Sequence, residues 1–409
     1  MKFVWYESLR QAEGMLRSWA GAPETGVPSM QKDTRTLSLN VLASTGFRKS
    51  YEFRGSADPA VDEAGSYRDA LQTVLDNVIL LMLVPFNVLR APMMPRSWAR
   101  IGDAGLLFKE YMSKMLEDET AALSQGLPGS GGIMTSLARS LDVHNRVTAT
   151  TGAKEGKEAK KGLSKDEIFG NLFVINFAGH DTTANTLAFS FLLLAAHPEV
   201  QDWMAQEIRV VTGETRAEDW DYKTVFPRLK RCQAVLLETL RLYPPIMALP
   251  KWTSERAQAL AVGERTLVIP PGISTVLSLL AVQTHPQYWA DPLAWKPSRW
   301  IADPAPSGSP DAEQIEMEGL SVPERSIYFP WSDGPQNCPG RKFSEVEAVA
   351  VLACLFRGHR VSAKKDEGES DTDARKRVQS CINDVNMEML LRMRDADRIK
   401  LECREASIS

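Results

Sequence analysis

The chain has no long hydrophobic run. Its most lipid-like stretch, Val78 to Val84 followed by Pro85 and Phe86, falls far short of the roughly 20 apolar residues a spanning helix needs. The sequence therefore predicts no transmembrane segment; this stretch reads as a buried helix or, at most, a peripheral membrane contact. Cysteine is scarce and unpatterned: Cys232, Cys338, Cys354, Cys381 and Cys403 form no CxxC and no even framework. That excludes a disulfide-stapled secreted fold and fits a reducing compartment. No basic block is interleaved with aromatics, and the net charge is −4, which argues against a general nucleic-acid binder. Met1 to Arg10 shows no basic segment leading into an apolar run, so no secretory signal is expected. There is no internal repeat. What remains is an ordinary globular composition, 44% apolar and 24% charged over 409 residues, read as one domain spanning 1–409.

Residues 1 to 120 read as helices, with apolar periodicity in Leu9–Trp19, Leu37–Leu42 and Val74–Leu89. From about 124 to 163 the composition turns to Gly, Ser, Thr and Lys, with a charge run from Lys154 to Lys161, and a flexible surface loop is expected. Ser164-x-x-Glu167 is a capping box that opens a long helix to about Ala196. His197-Pro198 ends it, and Pro198 suits the first turn of the next helix, which stops near Gly213. A further helix from Leu229 to Leu242 meets Pro244-Pro245. Strands follow at Thr266–Ile269 and Ile273–Val276 around a Pro-Pro-Gly turn. The charged stretch from about 364 to 376 reads as an exposed excursion.

The most informative stretch is Phe-Pro-Trp-Ser-Asp-Gly-Pro-Gln-Asn-Cys-Pro-Gly, from Phe329 to Gly340. Pro330, Pro335 and Pro339 stiffen it by fixing φ, while Gly334 and Gly340 allow backbone geometries or approaches that a Cβ would block. A helix pattern starts at Arg341. Cys338 thus precedes a helix N-terminus, where the dipole favours an anionic group. Taken alone, a cysteine in a turn is more often structural than reactive; the surrounding motif reverses that reading.

This loop resembles the haem-ligand loop of the cytochrome P450 family: aromatic, two residues, Gly, three residues, Cys, one residue, Gly. Trp331, Gly334, Cys338 and Gly340 fill those positions. The resemblance implies that Cys338 is the thiolate ligand to the iron of haem b. Trp331 replaces the usual phenylalanine as a flat apolar shield. Gln336 replaces an arginine that usually meets a haem propionate, and supplies a donor without charge. Lys251 is the nearest candidate for the charged propionate partner, on position alone.

Three further motifs follow in the family's order. Ala178-Gly179-His180-Asp181-Thr182-Thr183 places an acid and two hydroxyls in an otherwise apolar helix. Hydroxyls there can bond back to preceding carbonyls, and a small residue such as Gly179 lets a flat cofactor approach. The resemblance sets Ala178 and Gly179 over the haem, gives Asp181 a part in proton relay, and has Thr182 hold dioxygen and a water. His180, at a variable position, is expected to face outward. Glu238-x-x-Arg241 is weak by itself, since Glu7-x-x-Arg10 also satisfies it. With Arg299 of Trp295-Lys296-Pro297-Ser298-Arg299-Trp300 it resembles the family's buried ion network beneath the loop.

The resemblance implies a mainly α fold with a small β region, beginning part-way through the family's architecture: no anchor and no Trp-x-x-x-Arg of the C helix is recognised. It implies a monooxygenase of the fungal microsomal type that inserts one atom of O2 into a lipophilic molecule in secondary metabolism. Electrons would come from a separate NADPH-cytochrome P450 reductase. By the same analogy the pocket includes Ile175, Phe177, Ala178, Ile246, Met247, Ala248 and Leu249, each equally readable as core packing. The family's place is the cytoplasmic face of the endoplasmic reticulum, though a chain without an anchor also suits the cytosol. The alternatives are a truncated, catalytically silent relative and a haem-thiolate isomerase or dehydratase.

Overall fold

The computed structural model describes all residues except 23, 57–66, 130, 152–161, 304–310, 388–389 and 407–409. The helices are α1 Lys2–Ala20, α2 Met30–Phe47, α3 Tyr67–Asp76, α4 Val78–Leu83, α5 Phe86–Leu89, α6 Arg96–Ser124, α7 Gly132–Thr151 and α8 Lys165–Ala196. They continue as α9 Pro198–Thr212, α10 Tyr222–Val225, α11 Lys230–Leu242, α12 Leu279–Gln283, α13 Ala312–Met317, α14 Arg341–Phe356 and α15 Asp371–Asn383. The backbone divides into two compact units. One comprises Met1–Arg35, Gly55–Ala57 and Thr182–Ser409; the other Thr36–Arg54 and Asp58–Asp181.

In the second of these units, α3, α5 and α7 pack on α6. Its core includes Phe47, Leu71, Phe108, Met112, Leu137 and Leu172. Two expectations are corrected here. The periodic stretch Val74–Leu89 is three helices rather than one, broken at Asn77 and at Val84-Pro85; within α4, Val78 is buried while Leu83 is 76% exposed. The segment expected to be a flexible loop contains α7. Met134, Leu137, Ala138 and Leu141 recur at helical spacing and are all buried, so an apolar stripe overrides the polar composition. The Lys154–Lys161 charge run lies outside the described residues.

In the other unit, α1 packs on α14 with Trp5, Leu9, Ala12, Met15 and Trp19 buried along one face. The α14 helix is buried continuously from Val346 to Phe356, as is α8 from Ala184 to Leu194; both are mostly apolar on every face, the pattern of an interior helix. The capping box forms as read: the Ser164 N–H donates to Glu167 Oε2 at 2.9 Å, and the Glu167 N–H donates to Ser164 Oγ at 3.3 Å. Pro198 opens α9, and α11 ends just before Pro244-Pro245. Among the described residues the strands form five two-stranded antiparallel sheets. Those bearing on the site are β1 Ala248–Trp252, β2 Gln258–Val262, β3 Arg265–Ile269 and β4 Ser274–Ser278, paired β1 with β4 and β2 with β3. The register sets Lys251 opposite Thr275. The 364–376 stretch is largely exposed, but its second half belongs to α15.

Candidate active site

The Cys338 loop is held by its own backbone. The Cys338 N–H donates to the Trp331 carbonyl at 2.8 Å, Ser332 to Phe329 at 2.9 Å and Asn337 to Gly334 at 3.2 Å. Gly334 makes the turn with φ +82°, a conformation glycine adopts without penalty. Gly340 needs no such freedom: its φ is −86°, and a Cβ there would meet the Cys338 Sγ at an ordinary 3.7 Å. The Trp331 indole N–H donates to Ser344 Oγ on α14 at 3.0 Å, and the Arg341 guanidinium lies over the Trp331 ring at 5.0 Å. A hollow of about 190 Å³, lined by Phe329, Trp331, Ser332, Asn337, Cys338 and Arg341, opens at the loop. It is smaller than the ~300–1,000 Å³ of a substrate pocket.

Cys338 is exposed, whereas Cys232, Cys354, Cys381 and Cys403 are buried. Burial pushes all four of those thiols up, Cys403 to about 12, which makes them inert. Lys251 reaches the same loop: its Nζ donates to Ser332 Oγ at 3.3 Å and the Asp333 carbonyl at 3.5 Å. Gln336 is exposed on the loop.

Under the loop, Glu238 and Arg241 are both fully buried, and Arg299 is 12% exposed. Arg241 forks onto Glu238 with two bonds of 2.9 Å, and Arg299 Nε adds a third at 3.0 Å. The Lys296 N–H at 2.7 Å and the Trp300 indole N–H at 2.9 Å complete the carboxylate's shell. The remaining guanidinium N–H groups bond the carbonyls of Gln283, Pro292, Ala294, Ala290 and Asp291. Lys296 and Trp300 were missed as Glu238 partners, although Trp300 is the closing aromatic of the Pro-x-Arg segment. A second buried cluster had no local signal: Arg231 pairs with Glu318 at 2.7 Å, and Glu207 accepts the Arg231 N–H at 2.8 Å. Burial lifts Glu207 to about 8. The partners lie 24 and 87 positions from Arg231, beyond any motif.

Ala178, Gly179 and Asp181 belong to the other unit, and Thr182 is the first α8 residue of the loop's unit. On α8, Val174 and Ala178 are exposed and Thr182 is half-buried, an open stripe spaced by four. Ile175 is half-buried. Phe177 packs against its unit's hydrophobic core, which favours a packing role over pocket lining. At Gly179 an added Cβ would meet Leu42 Cδ2 at 3.2 Å. His180 is not outward-facing; it is 2% exposed, with Nδ1 3.1 Å from the Asn176 carbonyl. Back-bonding to carbonyls occurs, through Thr186 to Thr182 and Ser190 to Thr186, each 2.9 Å, and α8 remains continuous through it. Beyond α11, Ile246 and Ala248 are exposed, while Met247 and Leu249 are half-buried.

These residues fit a haem. One thiolate suffices as the protein's ligand when a macrocycle brings iron's equatorial nitrogens. Cys338 is an exposed sulfur on a hydrogen-bonded loop, and an ammonium stands at that loop.

The cytochrome P450 family model matches residues 6–388. A cytochrome P450 monooxygenase of Arthrobotrys oligospora is 27% identical over 98% of this chain and 71% of its own length. The monooxygenase prx9 of Penicillium rubens is 28% identical over 88% of this chain and 62% of its own. The chain thus spans roughly two thirds of the curated relatives it matches. The crystal structure of a cytochrome P450, CYP102L1, superposes over the whole chain and 78% of its own with a TM-score of 0.69 at 17% identity, which establishes the fold. The chain belongs to the cytochrome P450 family.

Proposed function

We propose that this chain is the haem-thiolate part of a monooxygenase that inserts one oxygen atom of O2 into a lipophilic small molecule. Cys338 carries the reading: an exposed sulfur, its backbone hydrogen-bonded to Trp331, on a loop whose supporting helix holds the buried Glu238–Arg241–Arg299 network. Cys338 would ligate the iron of haem b. Lys251 and Gln336 would meet its propionates, and Trp331 would shield the sulfur's side. Bound there, the haem supplies the activation of O2, a chemistry no side chain possesses.

The chain's own part is binding and proton delivery. Asp181, 8% exposed, and Thr182 are consecutive on α8, about 100° apart round the helix. Thr182 would hold a water, and Asp181 would relay protons to it. By family analogy Ile175 and Ala178 on α8, and in the other unit Ile246, Met247, Ala248 and Leu249, would each present apolar surface to a substrate. A relative from Leptosphaeria maculans named for a phomenoic acid biosynthesis cluster supports a place in secondary metabolism. Electrons would come from a separate NADPH reductase. No described helix is long and apolar enough to cross a membrane; the family's place at the endoplasmic reticulum is part of the proposal.

The test supplies haem, reductase, NADPH and isotopically labelled O2 with a panel of apolar compounds. One labelled oxygen in the product is expected, and Thr182→Ala should keep haem but consume NADPH without matching product. A rearranged or dehydrated product formed without NADPH would overturn the reading.

A further inference from the structure

We propose that Gln283 is a positioning residue for the Cys338 loop, its side-chain amide joining the end of α11 to the first residue of the loop. Gln283 is the last residue of α12 and is fully buried. Its Nε2 donates to the carbonyls of Leu240 and Arg241, at 3.1 and 3.0 Å. These stand in the last turn of α11, where carbonyls have no partner within the helix. Its Oε1 accepts the Phe329 N–H at 3.3 Å. Both N–H groups and the oxygen are thus engaged. Its backbone carbonyl also receives Arg241 Nη1 at 2.9 Å.

The neighbouring residue repeats the connection: the Tyr328 hydroxyl donates to the Leu237 carbonyl of α11 at 3.0 Å. From Phe329 the chain runs through Pro330, whose φ is fixed, to Trp331, whose carbonyl holds the Cys338 N–H. A continuous path therefore leads from the helix carrying Glu238 and Arg241, through the Gln283 amide, to the sulfur-bearing residue. Without Gln283 the network would still fold α11, but the loop's stem would lose a tie to it. The catalytic meaning of this rests on the haem-thiolate reading; the positional claim does not.

Hydrogen exchange on the full chain tests it, comparing wild type with Gln283→Met, which keeps the side chain's length and removes its hydrogen bonds. We expect roughly tenfold faster exchange at both Phe329 and Cys338, the scale of one lost hydrogen bond, with the α14 core unchanged. Acceleration confined to Phe329, or spread evenly through α14, overturns the proposal. Should Gln283→Met not fold, Gln283→Asn serves, because its shorter amide cannot reach both α11 and Phe329; the same loss at Cys338 is expected. In haem-supplied protein the folded variant should give a mixed spectrum where wild type gives a single thiolate band at equal haem content. Wild type that takes up no haem while the exchange result holds would sink the haem reading and leave the positioning intact. A variant with wild-type exchange at Cys338 and a wild-type spectrum would overturn the positioning alone.

Discussion

Replacing Glu238 by glutamine changes one oxygen to NH2 and deletes one charge. The carboxylate receives five N–H groups: two from Arg241, one from Arg299, the Lys296 N–H and the Trp300 indole. The amide keeps one accepting oxygen. Whichever way it turns, its NH2 confronts donors instead of receiving them, and the fully buried Arg241 guanidinium loses its counter-ion. Breaking a buried pair from one side costs about 3–5 kcal/mol, a large fraction of the ~5–15 kcal/mol that holds a domain folded. Glu238→Gln should therefore lower the urea midpoint by about a fifth or more, followed by circular dichroism. Asp103→Asn breaks the exposed Arg90–Asp103 pair, where both side chains are about half in solvent, and should cost less than ~1 kcal/mol. A Glu238→Gln protein within 1 kcal/mol of wild type would refute the reasoning, since it would mean the buried arginines need no carboxylate.

Two other outcomes follow from burial. Desolvation lifts the Asp33 carboxyl from 3.8 to about 6, only partly offset by donors from Trp19 and Ser56. The folded state then holds a proton the unfolded state has released, so the stability Asp33 contributes is full below pH ~4 and lost as pH rises through about 6. Wild type should lose up to about 3 kcal/mol relative to Asp33→Asn between those limits, read from urea midpoints; a gain over that interval would contradict the assignment. With iodoacetamide, the haem-free native chain should be alkylated rapidly at Cys338 alone and at all five cysteines once unfolded, as peptide mapping would show. Rapid labelling at Cys354 or Cys403 in the native chain would refute that burial.

What was legible in the sequence divides by range. Helix ends were legible because a capping box, a proline at the first turn and a Pro-Pro stop act over three or four residues, and α8, α9 and α11 begin or end where these stand. The ion network was legible through its motif order, yet the bare Glu-x-x-Arg pattern was uninformative: Glu7 and Arg10 also pair, at 2.7 Å, on a partly exposed face. The α7 helix was hidden because composition was averaged over a Gly- and Lys-rich stretch, while Met134, Leu137, Ala138 and Leu141 carried a helical period within it. Gly179 stays ambiguous for a general reason: glycine signals close approach, but not of what, and an added Cβ here would meet Leu42. Gln283 and Arg231 act through partners 24 to 87 positions away, so nothing local announces them.

The central claim is that Cys338 presents a thiolate to haem iron. Its most direct test is the absorption spectrum of the haem-supplied chain, reduced and exposed to carbon monoxide, for wild type and Cys338→Ala. A strongly red-shifted Soret band in wild type, absent from the variant, is the predicted result. A histidine-like band in wild type, or a red-shifted band that survives in Cys338→Ala, would contradict it.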